Sequence, residues 1–186
     1  MSMQRITPIT SAVSVRELMR HLRIDEEQDA ATLASLGAAA TQFAEDFCRR
    51  AMGTGDTFRA TFDGFAGEQQ LVIPLGPVVA ITSIVYDDAA GDAQTWDAAE
   101  YELRRNELGE DIVVPLVSWP SDVSSQPGSV RVTLTAGDGP PVNAALAVRM
   151  LVGEWYEHRE GLAMRGGSGP IPDGVMRLLW LVREQL

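Results

Sequence analysis

Residues 140–161, PPVNAALAVRMLVGEWYEHREG, constrain the fold more than any other stretch of the chain. Pro140 and Pro141 stand where a helix begins, because first-turn N–H groups have no intrahelical acceptor to lose. Gly161 follows a charged last turn, the place of a left-handed cap. The spacing predicts one long helix whose first half lacks a polar face. Val142, Ala145, Leu146, Val148, Met150, Leu151 and Val152 point in nearly every direction around a helical wheel. Such a helix is buried on most sides, either inside one core or between subunits.

A chain of 186 residues is one domain by length, with room for a protruding subdomain. No run approaches the ~20 apolar residues of a membrane span, and the opening MSMQRITPITS has no apolar signal region. The single Cys48 forms no internal disulfide, and no Cys/His cluster suggests structural zinc; both fit a reducing, cytoplasmic origin. The net charge of −11 disfavours a sequence-independent grip on nucleic acid, which needs a dense basic surface. All 15 basic residues are arginine. The absence of lysine removes the phosphate-loop lysine, the Schiff base and the lysine general base.

Residues 1–13 show no period and read as an extended or mobile arm. Ser14 and Glu17 form a capping box, and Val15, Leu18, Met19 and Leu22 give a short amphipathic helix ending near Arg23. Asp25 and Gln28 offer a second, weaker box. Leu33, Leu36, Ala40, Phe43, Ala44, Phe47 and Ala51 then recur at helical steps, so a second helix over about residues 26–52 is expected, closed by Gly53 and Gly55. From Thr57 to Thr135 β-branched residues and alternation predict short strands at Phe58–Phe62, Gln70–Pro74, Val78–Tyr86, Tyr101–Arg104, Ile112–Val114 and Val130–Thr135. Asp87–Asp92 reads as a hairpin tip and 115–129 as a loop. Residues 161–174, with five glycines and two prolines, read as a flexible connector. Asp173 then caps a final helix, VMRLLWLVREQL. Val175, Leu178, Leu179 and Val182 form one stripe, and Met176, Trp180 and Leu181 lie off it, exposing large apolar groups unless something covers them. The fold class is α+β: a helical core of two N-terminal and two C-terminal helices with an inserted small antiparallel β unit. The expected layout is a single domain, helical over 14–53, β over 57–135, and helical again over 140–186.

No catalytic constellation emerges. Gly166-Gly167-Ser168-Gly169 lacks the second glycine of a nucleophile elbow, because position 170 is proline, and no strand precedes it. Glu154 and His158 are helical neighbours able to bind a metal, but the zinc-protease pattern needs a second histidine there, and His21 is distant in sequence. A solvated helix end with His158 and Arg159 against the dipole accounts for them. Asp87, Asp88 and Asp92 lack the alternation and closing glutamate of a calcium loop. Trp96, Trp119, Trp155 and Trp180 lie on four elements, so they read as packing rather than as a stacking platform for single strands. No cofactor, metal site or membrane contact is expected.

HLRID at 21–25, the alanine-rich helix ending AEDFCRRAM at 44–52, LVIPLGPVVAITSIVYDDAAGD at 71–92, Tyr101, SWP at 118–120, VRVTLTAGDG at 130–139, LVGEWYEHRE at 151–160 and IPDGVMRLL at 171–179 occur in order. The set resembles the head–tail connector proteins of tailed bacteriophages, also called adaptor or head-completion proteins, over roughly residues 14–182. It departs from them in its last residues and its longer N-terminal arm. The resemblance implies a non-enzymatic virion protein, assembled in the host cytoplasm and located in the capsid–tail neck of a phage, prophage or gene-transfer particle. It also implies a ring, commonly of twelve subunits, that docks under the portal protein, extends the DNA channel and presents a surface to a neck or tail-completion protein. Twelve copies at −11 each would carry about −132, repelling DNA in transit rather than binding it specifically. Carried over, the portal-facing role falls to Gly161–Pro172, including Gly166, Gly167 and Ser168, and to the last helix with Met176, Trp180 and Leu181. The isolated chain is expected to be a monomer or small oligomer. Two alternatives stay open: a tail-completion or tail-tube protein of the same particle, and a small metal-dependent hydrolase using Glu154, His158 and the Ser168 loop.

Overall fold

The computed structural model describes residues 1–25, 29–65, 69–158 and 171–183. The fold is α+β, and the chain forms two compact units. One is helical, from residues 9–53 and 139–183; the other is built of strands from residues 1–8 and 54–138.

In the helical unit, α1 (Val15–Leu22) begins at the expected capping box. Ser14 Oγ accepts from the Glu17 N–H at 3.3 Å, and the Glu17 carboxylate accepts from the Ser14 N–H at 3.2 Å. Arg23 ends it in the left-handed region. The second helix, α2 (Ala30–Cys48), is shorter than its pattern suggests. Of the proposed second box, Gln28 lies outside the described residues, and the N-cap is Asp29, whose side chain makes no capping bond and accepts instead from the Tyr156 hydroxyl at 2.8 Å. Arg49, at φ 52°, stops the helix well before Gly53. A buried hydrogen bond explains the early stop: Glu45 accepts from the Met52 N–H at 2.7 Å, turning the chain back over the last turn. Gly55 belongs to a strand instead of a cap.

The N-terminal arm is extended but not loose. Ser2–Arg5 pairs with a strand, and Ser11–Val13 lies on α2, where the Ala12 N–H donates to Thr41 Oγ1 at 2.8 Å. The close approach is over Gly37, where an added Cβ would sit 2.7 Å from Ser11 Cβ. Alanine normally gains about 1 kcal/mol over glycine inside a helix. Here overpacking outweighs that gain, and Gly37→Ala should destabilise by about 1–2 kcal/mol in urea unfolding.

The long helix, α3 (Val142–Glu157), starts at Pro141 as anticipated. Ala144, Ala147, Val148, Leu151 and Val152 are buried, in one core with Leu18, Leu33, Ala40, Ala44 and Cys48. Its apolar surplus is not buried on every side: Val142 is 81% exposed and Leu146 37%. Of the two options the sequence left open, burial within one core accounts for only part of the wheel. Gly161 lies outside the described residues. The last helix, α4 (Asp173–Trp180), is capped by Pro172 with no side-chain bond, so Asp173 occupies the first turn instead of the cap. Val175 and Leu179 anchor it in the core, and the Cys48 thiol donates to the Leu179 carbonyl at 3.4 Å. The helix stops at Trp180, short of the expected reach to the C-terminus.

The β unit holds β1 (Ser2–Arg5), β2 (Thr54–Phe62), β3 (Leu71–Val72), β4 (Val78–Asp87), β5 (Ala93–Trp96), β6 (Tyr101–Arg105), β7 (Asp111–Pro115) and β8 (Val130–Asp138). A five-stranded antiparallel sheet runs β1-β2-β8-β4-β5, and a three-stranded one runs β3-β7-β6. Alternation decides which face of β8 is inside: Val130, Val132, Leu134 and Ala136 are buried, while Arg131, Thr133 and Thr135 face away. Sequence alone misses β5, a short, polar edge strand whose only buried side chain is Trp96. The Asp88–Asp92 segment joins β4 and β5 as the expected hairpin tip. The Asp88 carboxylate accepts from the N–H groups of Ala90 and Asp92 and from Gln94, so it organises a turn.

Arg131 clamps Asp87 through two hydrogen bonds of 2.5 and 2.8 Å. Those bonds hold the Asp87 carboxyl below its ordinary 3.8, and the Gln94 amide with the Asp92 N–H does the same for Asp88. Folded-state values below unfolded ones contribute stability that is complete above about pH 4–5 and is lost as pH falls through the lowered values. Acid titration of unfolding should show that loss, with a shallower acid limb for Asp87→Asn.

Candidate interaction surface

Leu179 turns into the helical core and so fixes which side of α4 faces out. Trp180 then emerges 59% exposed and Leu181 74% exposed, while Met176 is half-buried. Of the residues singled out from the sequence, Trp180 and Leu181 thus form a contiguous exposed pair. Gly166, Gly167 and Ser168 lie outside the described residues.

The Trp180 indole has a support that the sequence reading missed. Its ring meets Phe47 edge-to-face at 5.6 Å, and Phe47 stacks on Phe43 at 6.3 Å. The Arg183 guanidinium lies 4.8 Å from the Trp180 centroid and 5.3 Å from that of Phe47. Aromatic and cation–π contacts of this kind fix a ring's orientation without removing it from water. The surface is therefore a preset aromatic patch with one positive edge. Its available signal is the Phe43/Phe47 spacing on α2, which in the sequence marks only the helical period.

Other candidates resolve into structure. His158 Nδ1 is 3.3 Å from Glu154 Oε1 on the end of α3. His21, distant in sequence, shares a shallow cleft with Glu154 and Glu157. Among the described residues, no three His, Cys, Asp or Glu side chains are grouped to hold a metal ion. Trp96 and Trp119 come together at 5.3 Å, with Phe65 stacked on Trp119 at 4.7 Å. This pair packs the β unit, since Trp96 is buried and its indole N–H donates to Glu100 at 2.6 Å. Among the described residues, no helix is long and apolar enough to cross a membrane.

No family model and no curated protein sequence matches this chain. Its fold, in contrast, has neighbours among solved structures. A chain in the neck of an empty GTA particle, computed with C6 symmetry, superposes with a TM-score of 0.80 at 27% identity, covering 100% of this chain and 97% of that one. A chain in the virion of a native gene transfer agent (GTA) particle gives 0.78 at 26% identity with the same coverage. One in the neck of a native GTA particle, computed with C12 symmetry, gives 0.75 at 25% identity, again with the same coverage. The likeness spans the whole chain. These neighbours agree with the head–tail connector resemblance carried by the sequence motifs.

Proposed function

We propose that this chain is a structural, non-catalytic neck protein of a phage-like particle: a ring subunit that docks under the portal, extends the DNA channel and offers a surface to the next neck or tail protein. The observation that carries this reading is the likeness to a GTA neck chain at 27% identity, which covers 100% of this chain and 97% of that one. The C6 and C12 symmetries of the neighbouring necks support a ring and are compatible with twelve subunits. The exposed Trp180–Leu181 patch supports docking, because a large aromatic held in place in solvent is what an interface anchor looks like before its partner arrives. The net charge of −11 per subunit suits a conduit that lets DNA pass.

Deletion of the gene tests this function. Filled heads that fail to join tails, and that join them once purified chain is added back, are expected. Tail joining at the normal level without the chain would refute the reading.

A further inference from the structure

We propose that the β6–β7 hairpin tip of one copy plugs into the α1–α3 cleft of a neighbouring copy, which rests on the ring reading and adds its subunit contact. The plug is Glu107-Leu108-Gly109-Glu110. Leu108 is 76% exposed at the end of a hairpin, where a leucine gains nothing from the subunit's own core. The tip is nevertheless held firmly. Asn106 Oδ1 accepts from the N–H groups of Leu108 at 3.0 Å and Glu110 at 2.9 Å, and the Asn106 N–H donates to the Glu110 carbonyl at 3.0 Å. Arg105 Nε donates to the Gly109 carbonyl at 2.7 Å. A tip ordered in advance loses little conformational freedom on docking.

The socket is a cleft of about 280 Å³ lined by Glu17, Arg20, His21, Leu146 and Arg149. Leu146, 37% exposed, supplies an apolar wall. Glu17 is committed to the helix cap through Ser14, at 2.7 Å from its hydroxyl and 3.2 Å from its N–H. Its carboxylate stays charged and lies within the field of Arg149 and Arg20, so two guanidiniums against one carboxylate leave the cleft one net positive charge to meet a ligand. Glu110 is held in the tip by the Asn106 side-chain amide, which donates to its carboxylate at 2.7 Å. The groups presented are therefore Leu108 and the exposed Glu107 beside it, an apolar side chain and a carboxylate that fit a leucine wall bordered by guanidiniums.

The occupant is a second copy because the charge is divided within this chain. Residues 54–138 carry fourteen acidic side chains against four arginines. Tip-to-tip pairing would set like charges together, whereas tip-to-cleft pairing sets acid against arginine. A contact between two different patches of one chain is heterologous, the type that repeats around a ring.

Paired cysteines test it in assembled necks, with Cys48 fully buried and silent. Leu108→Cys combined with Leu146→Cys should give a ladder of covalent oligomers with a short bis-maleimide, and neither single variant should. Necks that contain the double variant but yield no ladder would overturn the plug while leaving the ring intact. Wild-type chain that never enters necks would instead defeat the ring reading. A charge exchange guards against a cysteine that blocks assembly. Glu107→Arg should lower incorporation roughly tenfold, and adding Arg149→Glu should restore it. Failure to restore would also overturn the proposal.

Discussion

Trp180→Ala should leave the isolated chain nearly as stable as wild type and yet strip it of most of its affinity for portal-bearing heads. The ring is 59% exposed, so its removal opens no cavity. What is lost is the edge contact with Phe47 and the Arg183 guanidinium above it, together about 0.5–1.5 kcal/mol. Docking should suffer more, by about 2–4 kcal/mol, the scale of an aromatic anchor that becomes fully desolvated in an interface. Trp180→Phe should retain part of the binding. Calorimetric unfolding and a head-binding titration on the same preparations separate the two effects. A stability loss of ~3–5 kcal/mol, the usual figure for a buried tryptophan, would place the ring in the subunit's own core and end its role as an anchor.

Leu151→Ala should have the larger effect on folding. Leu151 is 1% exposed and sits mid-way along α3 in the helical core with Ala44, Cys48 and Leu179. Truncation there removes transfer energy and leaves a void, for a loss of about 3–4 kcal/mol. Val142→Ala on the same helix should change stability by less than ~0.5 kcal/mol, because that side chain is 81% exposed. Denaturant unfolding of the pair measures how far the apolar surplus of α3 is spent inside the subunit. Equal losses at the two positions would contradict the half-buried description of the helix.

What the sequence revealed depended on whether a signal was local. The Ser14/Glu17 box, the alternation of Val130–Thr135 and the Pro-led α3 are decided by neighbours within a few residues, and each appears in place. The errors fall where a distant or buried group decides. Arg49 takes the left-handed position that glycine was expected to hold, because Glu45 captures the Met52 N–H. The N-terminal arm is fixed by β2 and by Thr41, partners that no period in residues 1–13 announces. β5 is too short and polar to show alternation and is defined by its pairing with β4. The candidate surface was half legible. Trp180 and Leu181 stood out because they fall off the α4 stripe, but the Phe43–Phe47 support and Arg183 become neighbours only once α2 and α4 pack.

Electron microscopy of necks from particles carrying this chain tests the central claim most directly. Density for the chain is expected as a closed ring between portal and tail, with α4 against a neighbouring protein and the central opening clear for DNA. Particles whose necks are complete without this chain, or in which it appears as single copies away from the portal vertex, would contradict it.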